Sequence, residues 1–201
     1  MKVSRRTQAD RTAATRAALI EAGRKLFAEH GYAGVGTETL VREAGVSRGA
    51  LYHQFGDKTE LFAAVLADVE AAITRQLAAA LPSGDDHDLV VVMTRALEAW
   101  LDACDRPEVQ RIVLIDGPSV LGWVRWRAIC QEHVLGLIEA LLEEAASDGV
   151  LLPLPVTPLA HLLLAIADEA ALYLNAARDR PAARGEVVQI VDALVRGLVA
   201  R

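Results

Sequence analysis

Apolar positions recur along most of this chain at the three- and four-residue spacing of amphipathic helices, and no interval alternates cleanly as a strand does. All the prolines follow residue 80 and divide the second part of the chain into segments. The pattern predicts an all-α protein of about nine helices, at about 10–30, 37–44, 48–54, 58–80, 88–105, 107–115, 119–147, 158–178 and 185–200.

The last two predicted helices differ from the others. The helix at 158–178 is apolar in nearly every direction, and the helix at 185–200 carries a broad apolar stripe. A helix that is apolar all round is buried on more than one side. We therefore expect a subunit interface here, and an ordinary hydrophobic C-terminal pair is the alternative. The candidate interface residues are Leu163, Ile166, Val191, Leu194 and Leu198.

Two short helices joined by a tight turn are predicted between residues 36 and 55. Gly36 or Thr37 can begin the first, Gly45 ends it, and Ser47 is a favourable N-cap for the second. Gly31 is a good stop for the long helix that precedes them.

The second short helix separates an inward face from an outward face. Leu51 and Phe55 lie at i and i+4 and face the core. Small residues in its first turn permit close approach to a DNA groove, and the outward side chains suit phosphates and major-groove base edges. The pattern indicates a DNA-reading helix-turn-helix, whose outward and first-turn residues are Arg48, Gly49, Ala50, Tyr52, His53 and Gln54.

Three stretches, LIEAGRKLFAEHGY (19–32), AGVSRGALYHQF (44–55) and DKTELF (57–62), together resemble the TetR (TetR/AcrR) family of bacterial transcriptional regulators. The resemblance covers about residues 16–66. A fourth stretch, RIVLIDGPSVLGWVRWR (111–127), is similar to the ligand-domain segment of one TetR subgroup. The resemblance implies an all-helical homodimer, with a ligand pocket in the C-terminal domain and dimerisation through the last two long helices.

By position, the resemblance also implies roles for single residues. Thr37, Tyr52 and Lys58 match phosphate contacts, and His53 is expected to contact the DNA backbone or to support the helix. The groove-facing positions are Arg48, Gly49, Ala50 and Gln54. The chain departs from the family pattern at Gly36, where Ser or Thr is usual, and at Val41, where Ala is common.

The charge is unevenly distributed. The net charge is −6, but residues 1–58 carry ten Lys/Arg and six Asp/Glu, and the remainder carries eleven and twenty-one. A basic N-terminal quarter suggests a surface that binds a polyanion, and a chance fluctuation is the alternative. The arm with Lys2, Arg5, Arg6 and Arg11 suits DNA contact equally well as it suits a disordered solubilising tail. We place a helix-turn-helix domain with this arm at 1–57, and a ligand-binding and dimerisation domain at 58–201.

Aromatic and polar residues within the second part are candidates for a ligand pocket, which needs rigid walls and a few polar groups. For each of them, core packing or a satisfied polar group is the alternative. The acidic excess favours a neutral or cationic ligand. The candidates are Trp100, Asp116, Trp123, Trp126, His161, Asp168 and Tyr173.

Other classes of protein have little support in the sequence. No nucleophile elbow, HExxH, phosphate loop or Cys–His set is present, and Cys104 and Cys130 lack metal-site spacing and are expected to be reduced thiols. We find no signal peptide, and prolines interrupt the apolar stretch at 151–167, so no membrane span is expected. The hypothesis is a cytoplasmic repressor without a cofactor or metal, released from a palindromic double-stranded DNA operator by a small apolar or amphipathic ligand. An activator or a ligand-independent DNA-binding protein is the alternative.

Overall fold

The computed structural model describes residues 8–82 and 88–200, and these residues form nine α-helices and one π-helix. The prediction of an all-α fold is confirmed. Within the described ranges, the sole β-type pairing is an isolated antiparallel bridge between Leu151 and Val199. The helices are α1 (Gln8–Gly34), α2 (Thr37–Ala44), α3 (Arg48–Phe55), α4 (Lys58–Ala80), α5 (Leu89–Cys104), the π-helix (Val109–Asp116), α6 (Gly117–Gln131), α7 (Val134–Ser147), α8 (Val156–Ala176) and α9 (Arg180–Arg196).

The described residues pack into two compact units. The first combines residues up to 69 with residues 107–127, and the second combines 70–106 with the residues from 128 onward. The packing units do not coincide with the predicted division at residues 57 and 58, because the first half of α4 packs within the first unit. That division concerned function and stays a prediction. Lys2, Arg5 and Arg6 of the N-terminal arm lie outside the described residues.

The core of the first unit is built from α1 to α4. Phe27 and Phe62 are fully buried, and their rings meet edge to face with centroids 5.3 Å apart. Tyr32 completes an aromatic cluster, at 5.9 Å from Phe27 and 5.2 Å from Phe62. Aromatic pairs at these separations add to the stabilisation that burial provides.

Gly31 interrupts the helical backbone of α1, as the sequence predicts. Its φ of 69° and ψ of 167° fall in a region that side chains rarely adopt, so glycine is required there. The guanidinium of Arg111, in the π-helix, packs over Gly31 where a Cβ would otherwise lie. The next residue, Tyr32, donates its backbone N–H to the carboxylate of Asp116 at 2.7 Å.

The single helix predicted at 119–147 is wrong. The chain forms α6 and α7 instead, and the helical path breaks between Gln131 and Val134. His133 takes a non-helical conformation, with φ −130° and ψ −110°. Gly136 makes the break possible, since a Cβ at this position would lie 2.6 Å from the carbonyl oxygen of Gln131. No proline marks the site, so periodicity alone runs through it.

The second unit is built from α5, α7, α8, α9 and the second half of α4. Helix α5 packs on α8 and α9, and α8 packs on both α7 and α9. Helix α8 has the length and composition of a membrane span, which a core helix of a globular protein also has. Cys104 and Cys130 are buried and not disulfide-bonded to each other. Burial, with smaller contributions from Asp168 and Glu70, raises the pKa of the Cys104 thiol, so this thiol stays protonated at neutral pH.

Candidate DNA-binding surface and ligand cavity

Helices α2 and α3 form the predicted helix-turn-helix, and backbone caps fix the turn between them. Gly45 is left-handed, with φ 65°, and its N–H donates to the carbonyl of Arg42. Val46 N–H donates to Val41 O at 3.0 Å, and the Ser47 hydroxyl accepts from Ala50 N–H at 3.2 Å. The predicted roles of Gly45 and Ser47 in the turn are confirmed. Gly36 begins α2 without a side-chain cap, as its departure from the family pattern implies.

Burial divides α3 into the two predicted faces. Leu51 is completely buried and Phe55 is 8% exposed, so both anchor the helix in the core. The opposite face carries the predicted DNA-contacting side chains: Arg48, Gly49, Tyr52 and His53 are exposed, whereas Ala50 and Gln54 are half-buried, as is Thr37 at the start of α2. The geometry therefore presents a polar helix face on a rigid apolar base.

Arg48 is held in place by two polar neighbours on this surface. Its guanidinium donates to Glu38 Oε1 at 3.0 Å and to the Tyr52 hydroxyl at 3.3 Å. Tyr52 and, to a smaller degree, Glu38 raise the pKa of Arg48. An Arg48 side chain that reads a base must exchange its contact with Glu38. Sequence reasoning missed Glu38, whose acidic side chain in the first turn of α2 was the available signal.

Lys58 lies at the start of α4 and is anchored by the end of α1. Its ammonium donates to the carbonyls of Tyr32 and Val35, both at 3.0 Å, and lies 3.9 Å from the centroid of the Tyr32 ring. Burial lowers the pKa of Lys58, while the two carbonyl acceptors favour its charged form. The ammonium has three donors. The predicted phosphate contact stays a prediction, to which the structure adds a structural role.

Arg24 joins three segments of the first unit. It donates to Asp68 at 2.8 Å on α4, and to both carboxylate oxygens of Glu108 at 2.9 and 2.8 Å, directly before the π-helix. A second two-point pair joins Arg125 on α6 to Glu60 on α4, at 2.7 and 2.6 Å. These pairs tie the segment 107–127 to the helices that carry the reading surface.

An apolar cavity of about 40 Å³ lies within the second unit. It is enclosed by side chains from α4, α5, α7, α8 and α9, and Trp100 is the member of the predicted ligand set that lines it. The lining residues are Leu77, Met93, Ala96, Leu97, Trp100, Val134, Ile138, Leu163, Leu164, Ile166, Ala167, Val191 and Val195.

The other predicted ligand residues lie away from this lining. His161 and Asp168 are half-buried on α8, and Tyr173 is 53% exposed. Asp116, Trp123 and Trp126 belong to the first unit, where Asp116 binds the Tyr32 backbone and Trp123 packs edge to face on Trp126. Their ligand-binding roles stay predictions.

The predicted interface residues divide in the same way. Leu163, Ile166 and Val191 line the cavity, whereas Leu194 is 48% exposed and the Leu198 carbonyl accepts from Leu152 N–H. Large apolar side chains stay exposed on both C-terminal helices, which are Leu162, Leu172 and Tyr173 on α8 and Ile190 and Leu194 on α9. Sequence reasoning missed Leu162 and Ile190, because a periodic pattern does not show which side of an all-apolar helix is covered.

A capped helix-turn-helix with a polar outer face, combined with a larger helical unit that encloses an apolar cavity, defines a class of DNA-binding regulators with a separate effector domain. Residues 19–65 match the family model for bacterial regulatory proteins of the tetR family. Residues 90–198 match the model for the tetracyclin repressor-like C-terminal domain. The chain belongs to the TetR family. Its regulators are non-enzymatic DNA-binding transcription factors, so the prediction of a regulator rather than an enzyme is confirmed.

Individual relatives support the same assignment. The chain is 31% identical over 130 residues to the HTH-type transcriptional repressor AcnR of Corynebacterium efficiens, a match that covers 62% of this chain and 64% of AcnR. It is 38% identical over 104 residues to the HTH-type transcriptional regulator CymR of Pseudomonas putida, covering 51% of each. The matches therefore span less than two thirds of either relative. The crystal structure of a TetR-family transcriptional regulator from Pectobacterium atrosepticum superposes with a TM-score of 0.77 at 33% identity, covering 98% of this chain and 99% of that one.

Proposed function

We propose that this chain is a dimeric transcriptional repressor that binds a palindromic DNA operator through α3 and leaves it when a small molecule occupies the cavity. The observation that carries the proposal is α3 itself, whose buried Leu51 and Phe55 present Arg48, Tyr52 and His53 outward. Such a protein acts in the cytoplasm, without a cofactor, a metal or a membrane.

The first turn of α3 supports close approach to DNA. A Cβ at Gly49 would meet nothing nearer than the Ser47 hydroxyl at 3.9 Å, so packing within the protein does not require glycine there. A missing side chain instead lets the backbone approach a groove wall. Arg48 beside it has the donor geometry that suits guanine in the major groove.

The exposed apolar side chains of α8 and α9 support a dimer. Leu162 is 63% and Ile190 60% exposed, and Ile190 and Leu194 lie one turn apart on the same side of α9. A second copy covering this face would remove the apolar area from water. Two α3 helices in a dimer would then address successive major grooves, about 34–36 Å apart, which calls for a palindromic site.

The path of α4 supports release by a ligand. This one helix begins at Lys58, which holds the end of α1, and continues to Leu77, which lines the cavity. A ligand that moves the cavity wall therefore acts on a helix that also contributes to the DNA-reading unit. A useful switch needs a coupling free energy of about 1–3 kcal/mol, and a ligand with equal affinity for both states produces none.

Selection of bound DNA from a random pool, with the wild-type chain and with Arg48→Ala, tests the proposal. The wild type should enrich a palindrome. Arg48→Ala should lower affinity for it about ten- to hundredfold and relax the preference at one base position per half-site. Arg42→Ala is the charge-matched control, since Arg42 is exposed at the end of α2 and should affect all sequences alike.

An unchanged base preference in Arg48→Ala would remove α3 as the reading element. Repeating the selection with a metabolite extract separates the alternatives. A palindrome bound equally with and without extract indicates a ligand-independent DNA-binding protein. Transcription that falls when the protein is removed indicates an activator.

A further inference from the structure

The chemistry of the cavity wall identifies the class of effector, and this step rests on the proposed function. We infer that the effector is a compact, uncharged, largely apolar molecule with one hydrogen-bond acceptor, which binds the indole N–H of Trp100.

The cavity wall excludes charge. All thirteen lining side chains are Ala, Val, Leu, Ile, Met or Trp, and none carries a carboxylate, ammonium, guanidinium, amide or hydroxyl group. An ion transferred into such surroundings loses its hydration without gaining a partner. Of the neutral and cationic ligands that the acidic composition favours, the cavity supports only the neutral ones.

Trp100 supplies the one polar group of this wall. The residue is 3% exposed, and its indole nitrogen is buried with no hydrogen-bond partner in the described ranges 8–82 and 88–200. An indole N–H donates and cannot accept, so its partner must be an acceptor. Buried polar groups in native proteins are nearly always paired, and an unpaired one at a cavity wall calls for a ligand acceptor.

A water molecule is a poor partner for this donor. Buried waters need about two to four polar partners, and this wall offers a single N–H. A carbonyl, ether or ester oxygen needs only the one donor and carries apolar groups that match the remaining wall. The acceptor of the effector is therefore part of a molecule that is otherwise hydrocarbon.

The size of the cavity limits the effector to compact molecules. Its volume is about 40 Å³, whereas a cavity that holds benzene measures on the order of 150 Å³. Binding must enlarge the cavity by displacing its wall. Met93 is the adaptable member of that wall, because methionine is unbranched and flexible. The same displacement moves Leu77 on α4, so entry of the effector and the proposed release of DNA are one event.

The test uses four ring compounds of similar size: cyclohexanone, methylcyclohexane, cyclohexylammonium and cyclohexanecarboxylate. Titration into the full chain without DNA is followed by the indole N–H signals in proton–nitrogen NMR, with Trp100→Phe assigning the Trp100 signal. Cyclohexanone should bind about three- to tenfold more tightly than methylcyclohexane, as expected for one added hydrogen bond, and should shift the Trp100 signal downfield. The two ions should not bind at comparable concentrations.

Trp100→Phe is the matched variant, since it keeps an aromatic wall and removes the donor. It should bind cyclohexanone and methylcyclohexane equally. A preference for the ketone that persists in this variant, or an ion that binds as well as the ketone, overturns the inference. If the variant does not fold, the wild-type indole signal decides: a ketone that binds without shifting it more than the hydrocarbon does also overturns the inference.

Failure of this inference and failure of the proposed function are distinguishable. An operator read by α3, with no neutral probe bound in the cavity, overturns the effector class and leaves DNA reading intact. Ketone binding with the expected Trp100 dependence, but no palindrome enriched by the chain, supports the effector chemistry and contradicts the repressor.

Discussion

The DNA-reading surface and the ligand cavity of this protein are built in opposite ways. The surface exposes polar side chains on a backbone that caps hold in one conformation, as at Gly45 and Ser47. The cavity buries apolar side chains contributed by five helices, with Trp100 as its one polar contributor. The first site depends on fixed geometry and the second on adaptable packing, so equivalent changes should have different consequences in the two.

The largest expected effect is that of Phe62→Ala in the first unit. Phe62 is fully buried and packs against both Phe27 and Tyr32. Its truncation should lower the free energy of unfolding by about 3–5 kcal/mol, measured by urea denaturation with circular dichroism. Because Tyr32 also lies beneath Lys58, DNA binding in gel-shift assays should be lost together with stability.

Leu97→Ala is the matched change in the cavity wall. Leu97 is 6% exposed, and truncation should also destabilise the protein, by about 2–5 kcal/mol. Here, however, the removed side chain enlarges a binding site. The variant should retain DNA binding at low temperature and bind cyclohexanone more tightly than the wild type. Weaker ketone binding in the variant would contradict the view of this cavity as an adaptable ligand site.

The difference between the regions also explains what could be predicted from the sequence. The helix-turn-helix is local: Gly45, Ser47, Leu51 and Phe55 act within about one helical turn of the groups they cap or anchor. Caps and spacing therefore predict its helices and its outward face correctly. The family resemblance adds the expectation of DNA contacts at those same positions.

Non-local features escaped prediction, because their partners are far apart in the sequence. Arg24 and Glu108 are separated by 84 residues, and no local pattern pairs them. The break after Gln131 depends on backbone crowding at Gly136, which periodicity does not show. The cavity combines residues from Leu77 to Val195, so a list of aromatic and polar candidates captured Trp100 and not the apolar wall.

Lys58→Ala should have an intermediate effect, and it sharpens the comparison by separating a structural from a DNA-contacting role. Loss of the ammonium leaves the carbonyls of Tyr32 and Val35 without their donor. The free energy of unfolding should fall by about 1.5–3 kcal/mol, as for hydrogen bonds from a charged group. Urea denaturation measures this loss.

The salt dependence of DNA binding then decides the second role of Lys58. If the third donor of the ammonium contacts a phosphate, the slope of log affinity against log salt should become shallower by about one unit. An unchanged slope with reduced stability would make Lys58 purely a structural residue. Arg48→Lys, which retains the charge on α3, serves as the control that should leave the slope unchanged.

The smallest expected effect on stability is that of Gly49→Ala, and it separates fold from function most directly. The site has open space for a Cβ, and alanine is favoured over glycine within a helix, so the variant should be more stable by up to about 1 kcal/mol. DNA affinity should fall nevertheless, because the added methyl group lies on the face that approaches the groove. Gly45→Ala is the control within the same motif: its φ of 65° should make the variant less stable by about 1–2 kcal/mol. Urea denaturation and fluorescence anisotropy with labelled operator measure the two quantities. A Gly49→Ala variant that gains stability and binds DNA as tightly as the wild type would show that α3 does not approach the groove through its first turn.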